Sequence, residues 1–286
     1  MSTAFFNRIA RISIGTLTSS NTLRPLCVIN TPLRITFEVV KTEFSIMNEA
    51  TVTINNLSTH TQAIIKRKLF LILEAGYVDA GGLRTMFHGE IVDVSSNQKK
   101  PEVLTTINIQ DGHTAIKKAG VSLSYRTGTP IRQIINDAAN ALGLPKNSTY
   151  SYVRLPTTAI EGPFAYTGTA SVLLDQLCAE HGLQWSIQNG LFKIYNAGHT
   201  DNLPPRKAVL IGSPRRLFKN QLSVSLEDFD GYELDCTLLP ELEPGNGITF
   251  SSLEVQKPIT LQVAEVKHIG DFYADKWMTT AKARDI

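Results

Sequence analysis

Several features that would indicate a secreted or membrane protein are missing from this sequence of 286 residues. There are three cysteines, Cys27, Cys178 and Cys236, and no CxxC pair, so neither a disulfide framework nor a thiolate zinc motif is indicated. So few thiols are typical of a reducing compartment. The first residues lack the charged start and apolar stretch of a signal peptide, and no apolar run approaches the ~20 residues of a membrane span. We therefore expect a soluble chain made in the cytoplasm.

The spacings that catalysis requires are also missing. None of the six histidines lies in an HExxH or similar metal-binding motif, and no GxSxG, Walker or dinucleotide-binding motif occurs. Cys178 lies on the apolar face of a predicted helix, where a buried thiol is more common than a nucleophile. Glu241 and Glu243 lie two residues apart, but nothing in the sequence indicates that they face a cleft. We predict that the protein is not an enzyme, and we expect no catalytic residue, cofactor or metal.

A charge excess of one sign is lacking as well, because 28 Lys and Arg face 26 Asp and Glu. A nucleic-acid-binding protein usually has a larger basic excess or a long basic run. One interval departs from this balance: between Lys219 and Lys257 there are eight acidic residues and no Lys or Arg. The simplest interpretation is the solvated outer face of a sheet. The alternative is a surface facing an anionic molecule that must not bind.

Two β-rich segments flank a segment that contains helices. Residues 1–112 and 201–286 alternate apolar and polar side chains and are rich in Thr, Val and Ile, which indicates half-buried antiparallel strands. Short strands at this spacing are typical of a barrel or a sandwich. Within the first segment, residues 58–67 predict a short helix capped by Ser58.

The middle segment, residues 113–200, contains two similar units at an offset of 39 residues. Residues 129–144 and 168–183 each read as a helix that ends at a Gly-Leu pair, and Pro130 is expected at the first helical position. The hairpin predicted after the second helix has Asn189-Gly190 in its turn. The segment is therefore expected to be a small α+β insertion.

Seven short motifs are distributed along nearly the whole chain. Those of the first segment follow an extended strand predicted at residues 33–41. In chain order the motifs are residues 51–58 (TVTINNLS), 87–92 (FHGEIV), 108–112 (NIQDG), 184–192 (QWSIQNGLF), 210–214 (LIGSP), 238–245 (LLPELEPG) and 266–271 (VKHIGD). In their order and spacing, more than in any single motif, they resemble the tail-hub, or late-control, proteins of contractile-tailed bacteriophages.

The resemblance implies a structural baseplate hub with a β-rich α+β fold. Two related β-barrel domains of the tube type, residues 1–112 and 201–286, would flank the α+β insertion. Family hubs form a homotrimer whose pseudo-sixfold ring joins the sixfold tail tube above to the threefold central spike below and lets DNA pass during ejection. The sequence stops soon after the second predicted barrel, at Ile286. A spike or a peptidoglycan-cutting activity is therefore expected in separate chains.

The implied partners are other copies of the chain, the tail tube ring, the trimeric spike and the baseplate wedge proteins. Genomic DNA would pass without specific binding. The implied location is the tail baseplate of the virion, after synthesis and assembly in the cytoplasm of the bacterial host.

Two groups of residues are candidates for contacts. The interface candidates are Lys41, Phe44, Met47, Lys276 and Trp277, because tryptophan often anchors interfaces; a place in the barrel core is an equally good interpretation of Trp277. The candidates for a lumen that repels DNA phosphates are Glu227, Asp228, Asp230, Glu233 and Asp235.

Two other functions remain open from the sequence. The first is a cell-wall glycan-binding tail module, because helix–Gly–Leu units with short strands recur in small wall-binding domains. The second is a hydrolase with an unfamiliar site, which is the weakest alternative because no nucleophile–base or paired-acid spacing supports it.

Overall fold

The computed structural model describes residues 7–18, 22–146, 155–196, 204–217, 231–251 and 258–285. The strands in these ranges are β1 (Arg8–Leu17), β2 (Leu23–Asn30), β3 (Ile35–Thr42), β4 (Glu49–Asn55), β5 (Phe70–Tyr77), β6 (Gly82–Lys99), β7 (Glu102–Gln110), β8 (Gly120–Tyr125), β9 (Phe164–Thr169), β10 (Leu183–Gln188), β11 (Leu191–Asn196), β12 (Arg206–Lys207), β13 (Arg215–Leu217), β14 (Gly231–Thr237), β15 (Gly247–Phe250), β16 (Ile259–Asp271) and β17 (Trp277–Asp285). The helices are α1 (Thr59–Ile64), α2 (His113–Lys118), α3 (Ile131–Ala141) and α4 (Ala170–Glu180). The predicted β-rich α+β class is confirmed.

Alternating side chains fix the faces of the strands. On β3, the side chains of Ile35, Phe37 and Val39 are buried, while Glu38 between them is exposed. β3 pairs antiparallel with β4, which places Phe37 opposite Val52. The period of two read from the sequence therefore corresponds to one face packed into the core.

Strands of both β-rich segments belong to one sheet of thirteen strands. The long strand β16 connects them: its residues 259–262 pair with β15, and its residues 265–271 pair with β3. A β-bulge at Ala264 separates the two halves, and such a bulge bends a strand locally. The sequence predicted two separate groups of strands, but the sheet continues from one group into the other. The closure of each group into a barrel stays a prediction.

The main path through this sheet runs β13-β14-β17-β16-β3-β4-β7-β6-β5-β1-β2. Among the described strands, β2 pairs with β1 alone and β13 pairs with β14 alone. The path therefore ends in two strands that are each unpaired on one side within the described residues.

The insertion has the predicted hairpin. β10 and β11 pair antiparallel, with Gln188 opposite Leu191. Both turn residues have positive φ, 55° at Asn189 and 76° at Gly190, as a type I′ turn requires.

The two helix–Gly–Leu units correspond to α3 and α4. Gly143 and Gly182 have φ of 70° and 64°, the left-handed conformation that commonly follows a helix. Pro130 is a correction to the prediction: its ψ of 135° makes it the N-cap, with the helix beginning at Ile131. A residue before the first helical turn keeps an extended ψ, which proline also favours. The predicted cap at Ser58 of α1 is confirmed, because its hydroxyl accepts a hydrogen bond from Thr61 N–H at 3.1 Å.

Buried apolar side chains form three clusters, one largely within each predicted segment. The first cluster also includes Leu238 and Trp277 from the C-terminal segment. The division into three domains stays a prediction, and the first core already crosses the predicted boundary. No helix among the described residues is long and apolar enough to span a membrane.

Candidate functional site

Charged side chains from three parts of the chain meet beneath the turn of the β10–β11 hairpin. We call this set the junction: Lys41 on β3, Asp111 after β7, Asn189 and Lys193 on the hairpin, and Glu243 after β14. Glu243 forms ion pairs with both lysines and accepts a hydrogen bond from Lys193, with Oε2 at 2.6 Å from Lys193 Nζ and Oε1 at 3.6 Å from Lys41 Nζ. The side chain of Lys41 is 0% exposed and that of Lys193 is 4% exposed. The junction therefore joins the first β-rich segment, the insertion and the second β-rich segment.

The two ammonium groups determine the charge of Glu243. Burial alone would raise its pKa, but the charges of Lys193 and Lys41 and the hydrogen bonds from Lys193 and Asn189 lower the pKa to about 2. Burial lowers the pKa of Lys41, and the carboxylates of Glu243 and Asp111 oppose that change. The carboxylate, whose side chain is 18% exposed, is thus the counter-ion of two buried lysines, and its loss would leave two buried cations without it.

Asn189 serves both as a turn residue and as a hydrogen-bonding residue of the junction. Its Nδ2 donates to Glu243 Oε1 at 2.5 Å, while its Oδ1 accepts from Lys41 Nζ at 3.3 Å and from His88 N–H at 3.1 Å. An asparagine tolerates the positive φ of this position. The same residue therefore shapes the turn and holds it against β3 and β6.

Further hydrogen bonds hold the hairpin against the β3–β4 connection. Gln188 Nε2 donates to the carbonyl of Thr42 at 2.7 Å, and Asn48 Nδ2 donates to the carbonyl of Ile187 at 2.7 Å. The Oδ1 of Asn48 accepts from Thr42 N–H at 2.8 Å. The stretch from Thr42 to Asn48, which includes the interface candidates Phe44 and Met47, thus contacts the insertion of its own chain.

The structure separates the five interface candidates by burial. Lys41 and Trp277 are 0% and 3% exposed, so neither side chain reaches the surface of the single chain. Trp277 packs edge-on against the ring of Phe37, with centroids 5.2 Å apart. Phe44 and Met47 are half-buried and Lys276 is exposed. Contacts made by these residues between copies stay a prediction.

Two of the five lumen candidates lie among the described residues. Glu233 and Asp235 on β14 are half-buried, and both pair with Arg215 of β13, Asp235 at 3.5 Å. The negative charge predicted for this stretch is thus partly balanced by an adjacent strand. Glu227, Asp228 and Asp230 lie outside the described residues, so the proposed lumen face stays a prediction.

The sequence did not predict the junction. In the sequence, Glu243 is one of the eight acids between Lys219 and Lys257, and no catalytic or metal-binding motif includes Lys193. The sequence does contain one local signal. Lys193 lies between the apolar residues Phe192 and Ile194, and the residues on either side of these, Leu191 and Tyr195, are also large. A lysine in such a strand is seldom buried unless an acid pairs with it, but the identity of that acid depends on the tertiary structure.

An apolar surface lies at the β2 end of the sheet. The side chains of Leu26 and Val28 on this strand are 52% and 47% exposed. A cavity of about 490 Å³ lies between β2 and α1, and it is lined by Leu26, Ile64, Lys66 and Arg67 among others. This edge therefore combines strand backbone that pairs with no further described strand, apolar side chains and positive charge.

The described residues contain no group of three His, Cys, Asp or Glu placed to hold a metal ion.

A comparison with known protein families identifies one that matches this sequence. The family described as "Baseplate hub gp41" matches residues 13–177, more than half of the chain. No curated protein matches the sequence.

Solved structures of tail proteins share the fold. The 43 kDa tail protein of prophage MuSo2 from Shewanella oneidensis has a TM-score of 0.65 at 8% identity, with 98% of each chain covered. The tail protein from Neisseria meningitidis MC58 has a TM-score of 0.63 at 9% identity, covering 98% of this chain and 97% of that one.

A third similar structure comes from a secretion system. The E. coli c3393 protein is described as a component of the type VI secretion system with structural similarity to the T4 bacteriophage tail proteins gp27 and gp5. Its TM-score is 0.59 at 13% identity, covering 89% of this chain and 74% of that one. Structural matches at such low sequence identity show only that the fold is shared. The family match, by contrast, is a match of the amino-acid sequence. The chain therefore belongs to the baseplate hub gp41 family and is a structural protein of the bacteriophage tail baseplate.

Proposed function

We propose that three copies of this chain form a closed ring that acts as the hub of a contractile-tail baseplate. The ring joins the sixfold tail tube on one side to the trimeric central spike on the other, with wedge proteins around it, after assembly in the host cytoplasm. Two β-rich segments in each of three copies would supply six similar units around one axis, which suits both symmetries.

The arrangement of strands around the β3–β16 pair carries this proposal. The first segment presents the hairpin β3–β4, followed by β7 as a third antiparallel strand. The second segment presents the hairpin β16–β17, followed by β14. The two groups meet through an antiparallel pairing of β3 with β16. Each chain thus offers two units of similar construction side by side.

The ends of the sheet path supply surfaces for contacts between copies. Unpaired edge strands tend to pair with other chains, and a closed ring limits that pairing. In the sequence, residues 1–112 carry 11 Lys and Arg against 9 Asp and Glu, whereas residues 201–286 carry 10 against 13. A head-to-tail contact would bring the basic segment of one copy to the acidic segment of the next.

The junction supports a rigid hub. It joins both β-rich segments and the insertion through buried ion pairs and hydrogen bonds. A fixed angle between the two β-rich segments is what a closed ring of six units requires. Acidic residues such as Glu233 and Asp235 on the channel wall would let DNA slide through, because phosphate contacts with basic residues would retain it.

The test is the mass of the purified chain by light scattering at several concentrations, with negative-stain images of the same sample. We expect a trimer of about 95 kDa, three times the 31.5 kDa chain, with a central hole. A chain that stays monomeric with its tube and spike proteins contradicts the ring. Sedimentation of that monomer with peptidoglycan would then favour the cell-wall glycan-binding module.

A further inference from the structure

A cavity of about 400 Å³ lies where the first β-rich segment meets the insertion. Leu17 and Phe70 form its wall on the first segment, and Ala115, Leu142 and Leu144 form the wall on the insertion. These side chains offer an apolar surface of the kind that contacts an alkyl chain. The cavity lies beside the junction and shares Asp111 with it, yet no ion pair of the junction fills it.

One residue of the cavity lining, Asp111, has a carboxyl oxygen without a hydrogen bond among the described residues. Asp111 is 1% exposed and lines the cavity. Its Oδ1 accepts from Gly190 N–H at 3.0 Å, and the backbone of Asn189 also interacts with the carboxyl, whereas Oδ2 has no hydrogen-bond partner among the described residues. A buried acceptor left without a donor is costly, so a donor supplied by a ligand would be stabilising there.

A second acceptor without a donor lines the same cavity. His88 is 9% exposed, and its Nδ1 lies 3.3 Å from the carbonyl oxygen of Asn189. A carbonyl can only accept, so Nδ1 carries the hydrogen and Nε2 has the free lone pair. No described residue donates to Nε2. Burial also lowers the pKa of His88, which favours this neutral, accepting form.

The charge of the lining also suits a cation. Glu90 is 9% exposed and lines the cavity, where it accepts from the hydroxyl of Thr114. The lining lysine, Lys118, is an exposed residue. Beside His113, the lining therefore holds the carboxyl groups of Glu90 and Asp111 and the neutral imidazole of His88. Burial raises the pKa of Asp111 to about 7, so above pH 7 its carboxyl is ionised and accepts hydrogen bonds.

We propose that this cavity binds a cation carried on a short alkyl chain, either a primary ammonium or a guanidinium group. The cation donates to Asp111 Oδ2 and His88 Nε2, and the alkyl chain packs on Phe70 and Leu144. Such a group is supplied by a Lys or Arg side chain of a neighbouring protein or by a free polyamine. The proposal does not depend on the number of copies in the assembly.

Three small molecules of the same length test it on the full chain: n-butylammonium, neutral n-butanol and n-butyrate. The measurement is NMR titration above pH 7, where Asp111 is ionised, followed at the methyl groups of Leu17 and Leu144 and at the imidazole nitrogens of His88. We expect saturation by butylammonium, binding of butanol weaker by about tenfold or more because a charged hydrogen bond is lost, and no binding of butyrate. The ¹⁵N signal of His88 Nε2 should shift as it accepts a hydrogen bond.

A matched pair of variants isolates the carboxylate. Asp111→Asn keeps an oxygen for Gly190 N–H but places an amide donor where Oδ2 stood, so butylammonium affinity should fall by about tenfold or more. Asp93→Asn removes the same charge from an exposed position of β6 and should leave the affinity unchanged. Spermidine distinguishes the sources: tighter binding of spermidine than of butylammonium points to a polyamine, and the reverse to a side chain.

Three results would overturn the proposal. Butanol binding as tightly as butylammonium would show a plain apolar cavity. No saturation by butylammonium, or an unchanged affinity in Asp111→Asn, would exclude the cation site. Should Asp111→Asn fail to fold, the His88 ¹⁵N signal of the unmodified protein decides, because an unshifted Nε2 during the titration contradicts the proposed contact.

Discussion

At the scale of single residues, Glu243 is the acid that both buried lysines of the junction share. Replacing it by glutamine keeps its shape and removes its charge, so Lys41 and Lys193 lose their shared counter-ion. We expect Glu243→Gln to lower the free energy of unfolding by about 3–5 kcal/mol, the usual loss when one partner of a buried pair is removed. Denaturant unfolding followed by circular dichroism measures this loss.

The control for this change is two residues away. Glu241 has a side chain that is 45% exposed, with Arg206 at 3.7 Å and Arg84 at 4.0 Å. Because exposed pairs contribute little, Glu241→Gln should cost under about 1 kcal/mol. Equal losses in the two variants would show that the junction does not depend on the charge of Glu243.

His268 makes the free energy of unfolding depend on pH. It is 0% exposed, with Nδ1 at 2.8 Å from Thr279 Oγ1. Burial, helped by the charge of Lys41, lowers its pKa from 6.5 to about 3. The unfolded chain binds this proton below pH 6.5 and the folded chain does not, so the contribution of His268 is complete above pH 6.5 and is lost as the pH falls towards 3.

We therefore expect the free energy of unfolding to fall less between pH 7 and pH 4.5 in His268→Gln than in the unmodified chain. Glutamine can keep the hydrogen bond to Thr279 and does not titrate. Asp111 acts in the opposite direction: burial raises its pKa to about 7, so its contribution is present at low pH and is lost as the pH rises through 7. Urea unfolding at several pH values measures the slopes, and parallel slopes would contradict the assignment to His268.

At the scale of elements, the β10–β11 hairpin could be predicted from the sequence, but its place in the molecule could not. Alternating residues and an Asn-Gly turn are local signals. The docking of the hairpin requires close approach at two distant glycines. A Cβ on Gly112 would lie 2.3 Å from Ile187 Cδ1, and a Cβ on Gly245 would lie 2.5 Å from a ring carbon of Tyr195. Neither neighbour can be identified from the local sequence.

A pair of glycine substitutions separates this close approach from backbone strain. Gly245 and Gly143 both have positive φ, 86° and 70°, but no atom lies within 4 Å of a Cβ placed on Gly143. Both alanine variants bear the cost of a left-handed backbone, about 1–2 kcal/mol. Gly245→Ala should lose about 1–3 kcal/mol more, because the new methyl group overlaps Tyr195. Thermal unfolding of the two variants measures the difference, and equal losses would show that the hairpin moves aside freely.

At the scale of the whole molecule, the sheet ends in the apolar edge strand β2. If copies meet there, Val28→Asp should lower the fraction of trimer at a given protein concentration, because it places a charge in an apolar contact. Val78, which is 57% exposed outside β2, provides the control variant Val78→Asp. Light scattering measures the mass and circular dichroism verifies the fold. Equal trimer fractions in the two variants would place the contact elsewhere.

The sequence by itself determined the class of fold and most of the elements. Periods of two, helix-ending glycines and an Asn-Gly turn are set by neighbours a few residues apart, so β3, α4 and the β10–β11 hairpin could be predicted. The family resemblance was equally available, because it depends on the order of motifs along the chain. The helix α3 begins one residue later than predicted, at Ile131 and not at Pro130, because helix caps depend on ψ angles that residue type alone does not fix.

The tertiary structure alone decided which distant residues meet. The pairing of β3 with β16, the burial of Lys41 beside Glu243, and the cavity lined by His88 and Asp111 bring together residues from separate segments. Hydrophobic patterning shows that a strand has a buried face, but many partners could cover that face equally well. A buried charge, by contrast, needs a particular counter-ion at a particular distance, and only the folded chain brings the two together.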